Sequence, residues 1–382
     1  MHHSTHHYYH ATRLTELKRL NWAFTMRQLA SSMTMIFVPI YLYNLHYSLQ
    51  AILWLFLLEN IFWPLLQYPL MKFSNRVGFN KTMGLSLILY GVTSLLLATL
   101  SIYRWPLWFI ALVLSVSGMF FYPNFRACFA KSLLHRKAGL AVGVSAALTT
   151  LAYGIAPAIG GAVASSLGVV VLYAFSIALF VAAALPLFGG TEIIKNAPFN
   201  LRDLDVGKVK RDLLANFSDT IDDSILSIIW PLFIFLLIPS YVDVGILSSI
   251  SVIAGILIAV YVGRREELQG ARKYLKRGSL LTTVANAGRL LSQSAPQIAG
   301  VNFVNGLGHA LLATPFFSRY YENASREPLL PYIYAMMVVS AVGGIMLFGI
   351  LLIISYFVPI QTVLLVGLLL AIPASFAVRL IR

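Results

Sequence analysis

A few ionisable residues lie inside long apolar segments of this chain, and they are the groups that could do chemistry there. Arg27 lies in the first apolar segment with Ser31 one turn further on, and Asp219, Asp222 and Asp223 lie in the seventh. A charge held within a bilayer costs about 2.5–3.5 kcal/mol on insertion scales. Each residue is therefore a candidate for binding a solute or a proton. The alternative is that they lie shallow enough to reach the aqueous surface.

A further carboxyl group, Glu59, lies midway along the second apolar segment, where Asn60 and Trp63 follow it. A carboxyl group at that depth can gain and lose a proton, so Glu59 is the best single candidate for a proton carrier. A structural hydrogen bond to a neighbouring helix is the alternative.

The tenth apolar segment has a polar stripe made of Asn302, Asn305 and His309, at helical positions i, i+3 and i+7. The stripe predicts the wall of a polar cavity, and an imidazole can titrate near neutral pH. The alternative for His309 is a packing residue with a satisfied hydrogen bond. Aromatic residues such as Trp230 and Tyr153 would suit an amphipathic or weakly polar organic solute, and a sugar is the alternative.

Composition restricts the class of protein. Of 382 residues, 59% are apolar and 11% are charged, which no soluble fold could bury but lipid can solvate. The net charge of +14 would suit nucleic acid, but the basic residues lie in short segments between apolar runs. No motif predicts an enzyme, a cofactor or a metal site in the apolar segments. The first ten residues hold five histidines and predict a disordered tail with at most weak metal binding.

A membrane helix needs about 20 mostly apolar residues, and this length criterion divides the chain into transmembrane segments. The predicted segments are 21–44, 49–71, 81–101, 105–127, 138–163, 168–188, 212–238, 243–262, 277–293, 296–319, 329–355 and 358–379. With both termini placed in the cytoplasm, the inner segments hold 25 of the 28 Lys and Arg residues, whereas the outer loops hold only Arg104. This asymmetry predicts twelve helices with both termini inside.

The two halves of the chain match at an offset of 192 residues. Five landmarks coincide without a gap: Pro39 with Pro231, Gly78 with Gly270, Lys81 with Lys273, Pro123 with Pro315, and Phe125 with Phe317. Such a repeat predicts two parallel six-helix bundles around a central cavity. We expect a tail at 1–20, bundles at 21–188 and 212–382, and a cytoplasmic linker at 189–211.

The loop after the second segment provides a family resemblance. The run from Asn75 to Lys81, with Arg76 and Gly78 between them, resembles the G-x-x-x-D-R-x-G-R-K loop of the major facilitator superfamily, with Asn75 at the acidic position. The second half echoes it around Gly270 and Lys273. A glycine permits a tight turn, and Asn75 could cap a neighbouring helix through a neutral hydrogen bond.

The fifth segment holds a second signature. The run Gly154-Ile-Ala-Pro157-Ala-Ile-Gly160-Gly161 resembles a helix element of drug–proton antiporters in that superfamily. Small residues let two helices approach closely, so we expect the element where the two halves meet. A packing seam alone would produce the same pattern.

The resemblance implies a monomeric secondary transporter of the cytoplasmic inner membrane, moving a small organic solute by alternating access, with proton-coupled efflux favoured. It places Arg27 and the aspartates on helices that line the cavity, so we expect Arg27 to face Asp219 across it. Arg126 is expected to act as an interfacial anchor or gate, and Arg289 to reach the surface from a lipid-facing helix. The alternatives are a sugar or metabolite importer, and a transport-inactive sensor or lipid scramblase.

Overall fold

The computed structural model describes residues 2–133, 139–269 and 271–382, with side chains described for 18–132, 153–256, 258 and 271–382. Every regular element of these ranges is helical. Gly270 and the histidine side chains of the predicted tail lie outside the described residues. The backbone of that tail is helical from His2, which differs from the predicted disorder, and the segment contains neither Gly nor Pro to interrupt a helix.

Fifteen α-helices are present in the described ranges. They are α1 (His2–Thr34), α2 (Val38–Asn44), α3 (Leu49–Val77), α4 (Phe79–Ala98), α5 (Leu100–Tyr103), α6 (Leu107–Leu133), α7 (Gly139–Ser166), α8 (Val169–Phe188), α9 (Val206–Ser224), α10 (Trp230–Leu237), α11 (Tyr241–Gln269), α12 (Ala271–Arg289), α13 (Ala295–Arg326), α14 (Leu329–Ile354) and α15 (Ile360–Ala377). Helix α9 begins at Val206, within the segment predicted as linker.

Seven segments of the described residues are long and apolar enough to cross a membrane. They are Leu49–Val77, Phe79–Ala98, Leu107–Ser132, Val169–Phe188, Val206–Leu237, Leu329–Ile354 and Ile360–Leu380. Each of the twelve predicted segments overlaps a helix or a run of consecutive helices. The count of twelve crossings stays a prediction, because the other five predicted segments, on α1 and α2, α7, α11, α12 and α13, are not among these seven.

The first and seventh predicted segments share an interruption near mid-length. In the first, a 3₁₀ turn at Met35–Phe37 precedes α2, and in the seventh a π-helical stretch at Ile225–Ile229 precedes α10. Pro39 and Pro231 lie in the first turn of the helix that follows each interruption, where a missing N–H costs least. The two interruptions contact each other. Irregular turns of this kind often occur at functional sites or hinges.

Helices of the first half pack mainly on one another, as do those of the second half, and two seams join the halves. Helix α3 packs along α14, and α7 packs along α11. Two ends of the structure follow from this packing. The end where α8 leads into α9 is called the linker end below, and the other the opposite end.

The apolar core consists of two clusters, one near each end. Residues such as Phe37 and Phe348 belong to the cluster at the opposite end, and Phe79 and Tyr332 to the cluster at the linker end. Along α3, α9 and α13 the chain passes from one cluster to the other. Glu59, Asp219, Asp223 and His309 lie near that crossing, so the bundle has a polar layer between two apolar ones.

Candidate functional site

Asp223 on α9 and His309 on α13 line the centre of the polar layer. Both side chains are exposed to solvent even though the surrounding atoms place them deep inside the bundle. They interact electrostatically with each other, and Tyr153 of α7, which is 38% exposed, interacts with Asp223. Exposed groups at such depth line an internal space. Helices of both halves therefore contribute to one polar site.

Asp219 lies one turn before Asp223, and the cationic side chain that acts on it comes from the other half of the chain. Arg126 on α6 acts on Asp219 and on Asp223, while the neighbouring aspartates repel Asp219. Among the described residues Asp219 forms no ion pair with Arg27. The cation that acts on Asp219 in the structure is Arg126, and the facing of Arg27 and Asp219 across a cavity stays a prediction.

Arg27 is held entirely by the first half. Its guanidinium donates to the hydroxyls of Tyr90 and Tyr122, both at 2.9 Å, and lies 4.4–4.7 Å from the ring centres of Tyr90, Phe121 and Tyr122. Hydrogen bonds to a charged group and cation–π contacts each offset part of the burial cost. Arg27 thereby joins α1 to α4 and α6. The hydroxyl of nearby Ser31 is buried without a hydrogen bond in the structure.

Glu59 lies on α3, half-buried and within electrostatic range of Tyr90. Tyr90 thus stands between Glu59 and Arg27. Among the described residues the Glu59 carboxylate has no hydrogen-bond donor, which keeps it available as a proton site.

The neighbours of Glu59 serve packing. A Cβ at Gly344 of α14 would lie 2.0 Å from the side-chain oxygen of Asn60, so Asn60 fills the seam between α3 and α14. A Cβ at Gly118 would lie 2.7 Å from the ring of Trp63, so Trp63 packs on α6. Asn60 and Trp63 were predicted as cavity residues, and the structure assigns them contacts with neighbouring helices.

Asp222 points away from the Asp223 side and joins a separate buried network. Its carboxylate accepts a hydrogen bond of 2.7 Å from Asn286 on α12, and Asn286 accepts one from Arg289. Arg289 is 1% exposed and lies 5.3 Å from the ring centre of Trp230. The expectation that Arg289 reaches the membrane surface is wrong, because a buried carboxylate, an amide and an indole ring hold it inside the bundle.

The stripe on α13 is divided between two environments. Trp230 donates to Asn302 at 2.9 Å, and Asn302 donates to the backbone of Leu247 on α11 at 2.8 Å. Asn305 donates to Ser251 on the same helix at 3.1 Å. Asn302, Asn305 and Trp230 are buried between helices rather than on a cavity wall, and His309 alone of the stripe is exposed. The predicted cavity wall is therefore reduced to His309.

The two halves contact each other at both ends of the bundle. At the linker end Arg126 lies 4.8 Å from the ring centre of Tyr320, and the rings of Phe129 and Tyr321 are 5.0 Å apart. At the opposite end Asn44 donates to Tyr241 at 2.8 Å. The polar site thus lies between two sets of contacts that join the halves.

Asn75 makes contacts other than the predicted helix cap. Its amide donates to the carbonyl of Ala197 at 2.8 Å and accepts from the Ala197 N–H at 2.9 Å. The carboxylate at the start of α4 comes from Glu192, which accepts from the N–H groups of Asn80 at 2.8 Å and Lys81 at 3.2 Å. The helix-capping prediction for Asn75 is wrong, since Glu192 from the segment after α8 supplies the negative charge.

Gly78 and the remaining loop residues follow from this arrangement. Gly78 has φ +122°, a backbone conformation that favours glycine, and a Cβ there would displace the Glu192 carboxylate, whose carbon would lie 2.2 Å away. The side chains of Arg76, Lys81 and Lys273 are exposed at the linker end.

The small-residue element of α7 packs against two helices. A Cβ would lie 2.3 Å from the Met33 carbonyl at Gly160 and 2.3 Å from the Tyr241 carbonyl at Gly161, while Gly154 faces Val252 of α11. A Cβ at Gly245 of α11 would in turn lie 2.3 Å from the Pro157 carbonyl. Close packing of α7 on α1 and α11 therefore accounts for the element.

Two contacts of the buried polar residues involve partners that the sequence did not indicate. Tyr90 holds Arg27, and Asn286 links Asp222 to Arg289. The spacing of Asn286 and Arg289, at i and i+3, does place two polar groups on one helix face and could have indicated a shared partner. Among the described residues no three His, Cys, Asp or Glu side chains form a group that could hold a metal ion.

The chain resembles a known protein family in sequence and solved structures in fold. The family model of the Major Facilitator Superfamily matches residues 20–203. Among solved structures, a mutant of the nucleoside transporter NupG has a TM-score of 0.71 at 14% identity, with 95% of this chain and 98% of that chain covered. A bacterial homologue of the iron transporter ferroportin, in its inward-facing state, has a TM-score of 0.66 at 14% identity, with 96% and 98% covered. None of the curated proteins compared with the chain matches it.

The chain therefore shares its fold with solved structures of transporters. The match of the Major Facilitator Superfamily model confirms the resemblance predicted from the loop and helix signatures.

Proposed function

We propose that the chain is a secondary active transporter that moves a small organic solute across the cytoplasmic membrane by alternating access, as proton-coupled efflux. One observation supports this above all. Asp223, His309 and Tyr153, from three helices of both halves, are exposed in a layer that lies between inter-half contacts at its two ends. In our proposal these two sets of contacts open in turn, so that a solute reaches the site from one side or the other.

In this proposal the linker end faces the cytoplasm, because basic residues concentrate there. The bundles 21–188 and 212–382 move as two bodies about the α3–α14 and α7–α11 seams. The solute binds between Tyr153, Asp223 and His309, and an amphipathic organic molecule with a hydrogen-bond donor suits this set. The protein works as a monomer.

Binding is tested first, by the rise in unfolding temperature of the purified protein with candidate solutes, because a ligand bound to the folded state stabilises it. Ethidium, uridine, glucose and Fe²⁺ cover an organic cation, a sugar and the solute classes named for the similar structures. The Asp223→Asn variant should lose the shift. Asp243→Asn, the same change at an exposed helix start, should keep it.

Transport is tested in proteoliposomes with the solute that binds. Solute flux that follows an imposed pH gradient is expected. Lipid flipping without flux of any of the four solutes would contradict the proposal and favour a scramblase.

A further inference from the structure

The segment Gly189–Ala197, called the strap here, lies across the linker end of the first half. Besides the Glu192 and Asn75 contacts, Lys131 of α6 donates to the carbonyl of Ile193 at 3.1 Å, and Arg19 of α1 donates to that of Gly189 at 3.2 Å. The strap therefore bonds to α1, α3, α4 and α6. Its Ile194 is 1% exposed and belongs to the apolar cluster of that end.

Phe199 follows the strap by two residues and lies between the halves. Its ring centre is 5.6 Å from that of Tyr68 on α3 and 6.0 Å from that of Tyr334 on α14, and these two rings are 6.1 Å apart. The three rings are called the clasp. Because Asn75 fixes Ala197 on the first half, the strap holds Phe199 at the end of the α3–α14 seam.

We propose that the strap and the clasp form a latch that favours the state closed at the linker end. The inference rests on the proposed alternating access. Opening the linker end must separate the ends of α3 and α14, and Phe199 then loses contact with one of them. Aromatic pairs stabilise their partners beyond the area they bury. The latch therefore sets the ratio of closed to open molecules, and so the side on which the solute site is found.

Distances between spin labels measure that ratio directly. Labels on cysteines at exposed Arg76 and Ser325 report the linker end, and labels at exposed Tyr103 and Phe357 report the opposite end. The buried native Cys128 is replaced by alanine. Phe199→Ala should raise the ratio of long to short distances at the linker end about two- to tenfold, as expected for the loss of one aromatic pair. Phe199→Tyr keeps the ring and should resemble the parent.

Two further variants separate the parts of the latch. Glu192→Ala loosens the strap and should shift the ratio in the same direction by a smaller factor. Phe73→Ala removes a ring of the same helix end whose ring contact, among the described residues, is with Phe120 of the first half at 5.8 Å, and it should leave the ratio unchanged.

The outcomes distinguish the latch from the transport proposal. Two populations in the parent that Phe199→Ala leaves unaltered, or that Phe73→Ala shifts equally, overturn the latch and leave alternating access standing. A single closed population in the parent and in Phe199→Ala overturns both.

Discussion

The side-chain nitrogen of Asn286 lies 2.7 Å from a carboxylate oxygen of Asp222, and the oxygen of the same amide accepts from Arg289. One neutral amide thus connects an anion of α9 to a cation of α12, and both charges are buried. An amide has a donor and an acceptor group, so it satisfies both ends at once. The network ties α12 to the helix that presents Asp219 and Asp223 to the interior site.

Removal of one charge from this network should destabilise the protein strongly. Arg289→Gln leaves Asp222 buried without a compensating cation, and breaking a buried pair costs about 3–5 kcal/mol. We expect a clear fall in the unfolding temperature in detergent, and partial recovery in the double variant with Asp222→Asn. The control is Arg326→Gln, whose pair with Glu322 is exposed and should contribute about 0–1 kcal/mol. Equal falls in unfolding temperature for Arg289→Gln and Arg326→Gln would contradict a stabilising role of the network.

The α7–α11 seam predicts a contrast between two glycines. Gly161→Ala would bring a Cβ to 2.3 Å from the backbone carbonyl of Tyr241, and overpacking of this kind costs about 1–3 kcal/mol. Gly349→Ala meets nothing within 4 Å and lies inside α14, where Ala is the better helix former. Unfolding temperatures should fall for the first and hold or rise for the second. A Gly161→Ala protein as stable as the parent would show that the seam is loose.

Much of the fold could be predicted from the sequence because lipid solvation imposes long apolar segments. The offset of 192 residues also predicted that Pro39 and Pro231 are structurally equivalent. Each proline lies in the first turn of the helix that follows an interruption. These features depend on local composition and on spacing along one helix. Both can be read without knowledge of neighbouring helices.

Partners of the polar residues could not be predicted in the same way. Which face of α1 meets which neighbour depends on helix rotation, and a rotation of one residue changes a facing direction by about 100°. Arg27 was accordingly paired with Asp219, although two tyrosine hydroxyls of its own half bind it. Glu192 lies more than a hundred positions from the N–H groups that it accepts from, so no local pattern reports the contact.

The tyrosine contacts of Arg27 predict a measurable coupling. Tyr90→Phe and Tyr122→Phe each remove an acceptor from the guanidinium, and a hydrogen bond to a charged group contributes about 1.5–3 kcal/mol. Each variant should unfold at a lower temperature. The double variant should differ from the sum of the two, because both hydroxyls share one partner. Tyr356→Phe, at an exposed side chain, should have no effect. Strict additivity would argue against a shared site.

Restoration of the superfamily's acidic residue in the loop should harm this protein. Asn75→Asp removes the donor to the Ala197 carbonyl and places a carboxylate oxygen beside that carbonyl oxygen. The loss should be about 1–3 kcal/mol, in the range for a polar group left without its partner. Unfolding followed by tryptophan fluorescence measures it, with Arg76→Gln on the exposed neighbour as the control. An unchanged or higher stability would mean that Asn75 does not hold the strap.

Coupling of transport to protons depends, in our proposal, on a carboxylate that binds a proton in one state and releases it in the other. Asp219 is the first candidate, because Arg126 of the opposite half acts on it and the two halves separate during the cycle. Asp219→Asn should abolish solute flux driven by a pH gradient while exchange of labelled for unlabelled solute continues, and Asp243→Asn should alter neither. Glu59→Gln, Asp222→Asn and Asp223→Asn complete the series. If all four single variants retain full pH-driven flux, antiport with protons is excluded, and a uniporter or coupling through His309 would replace it.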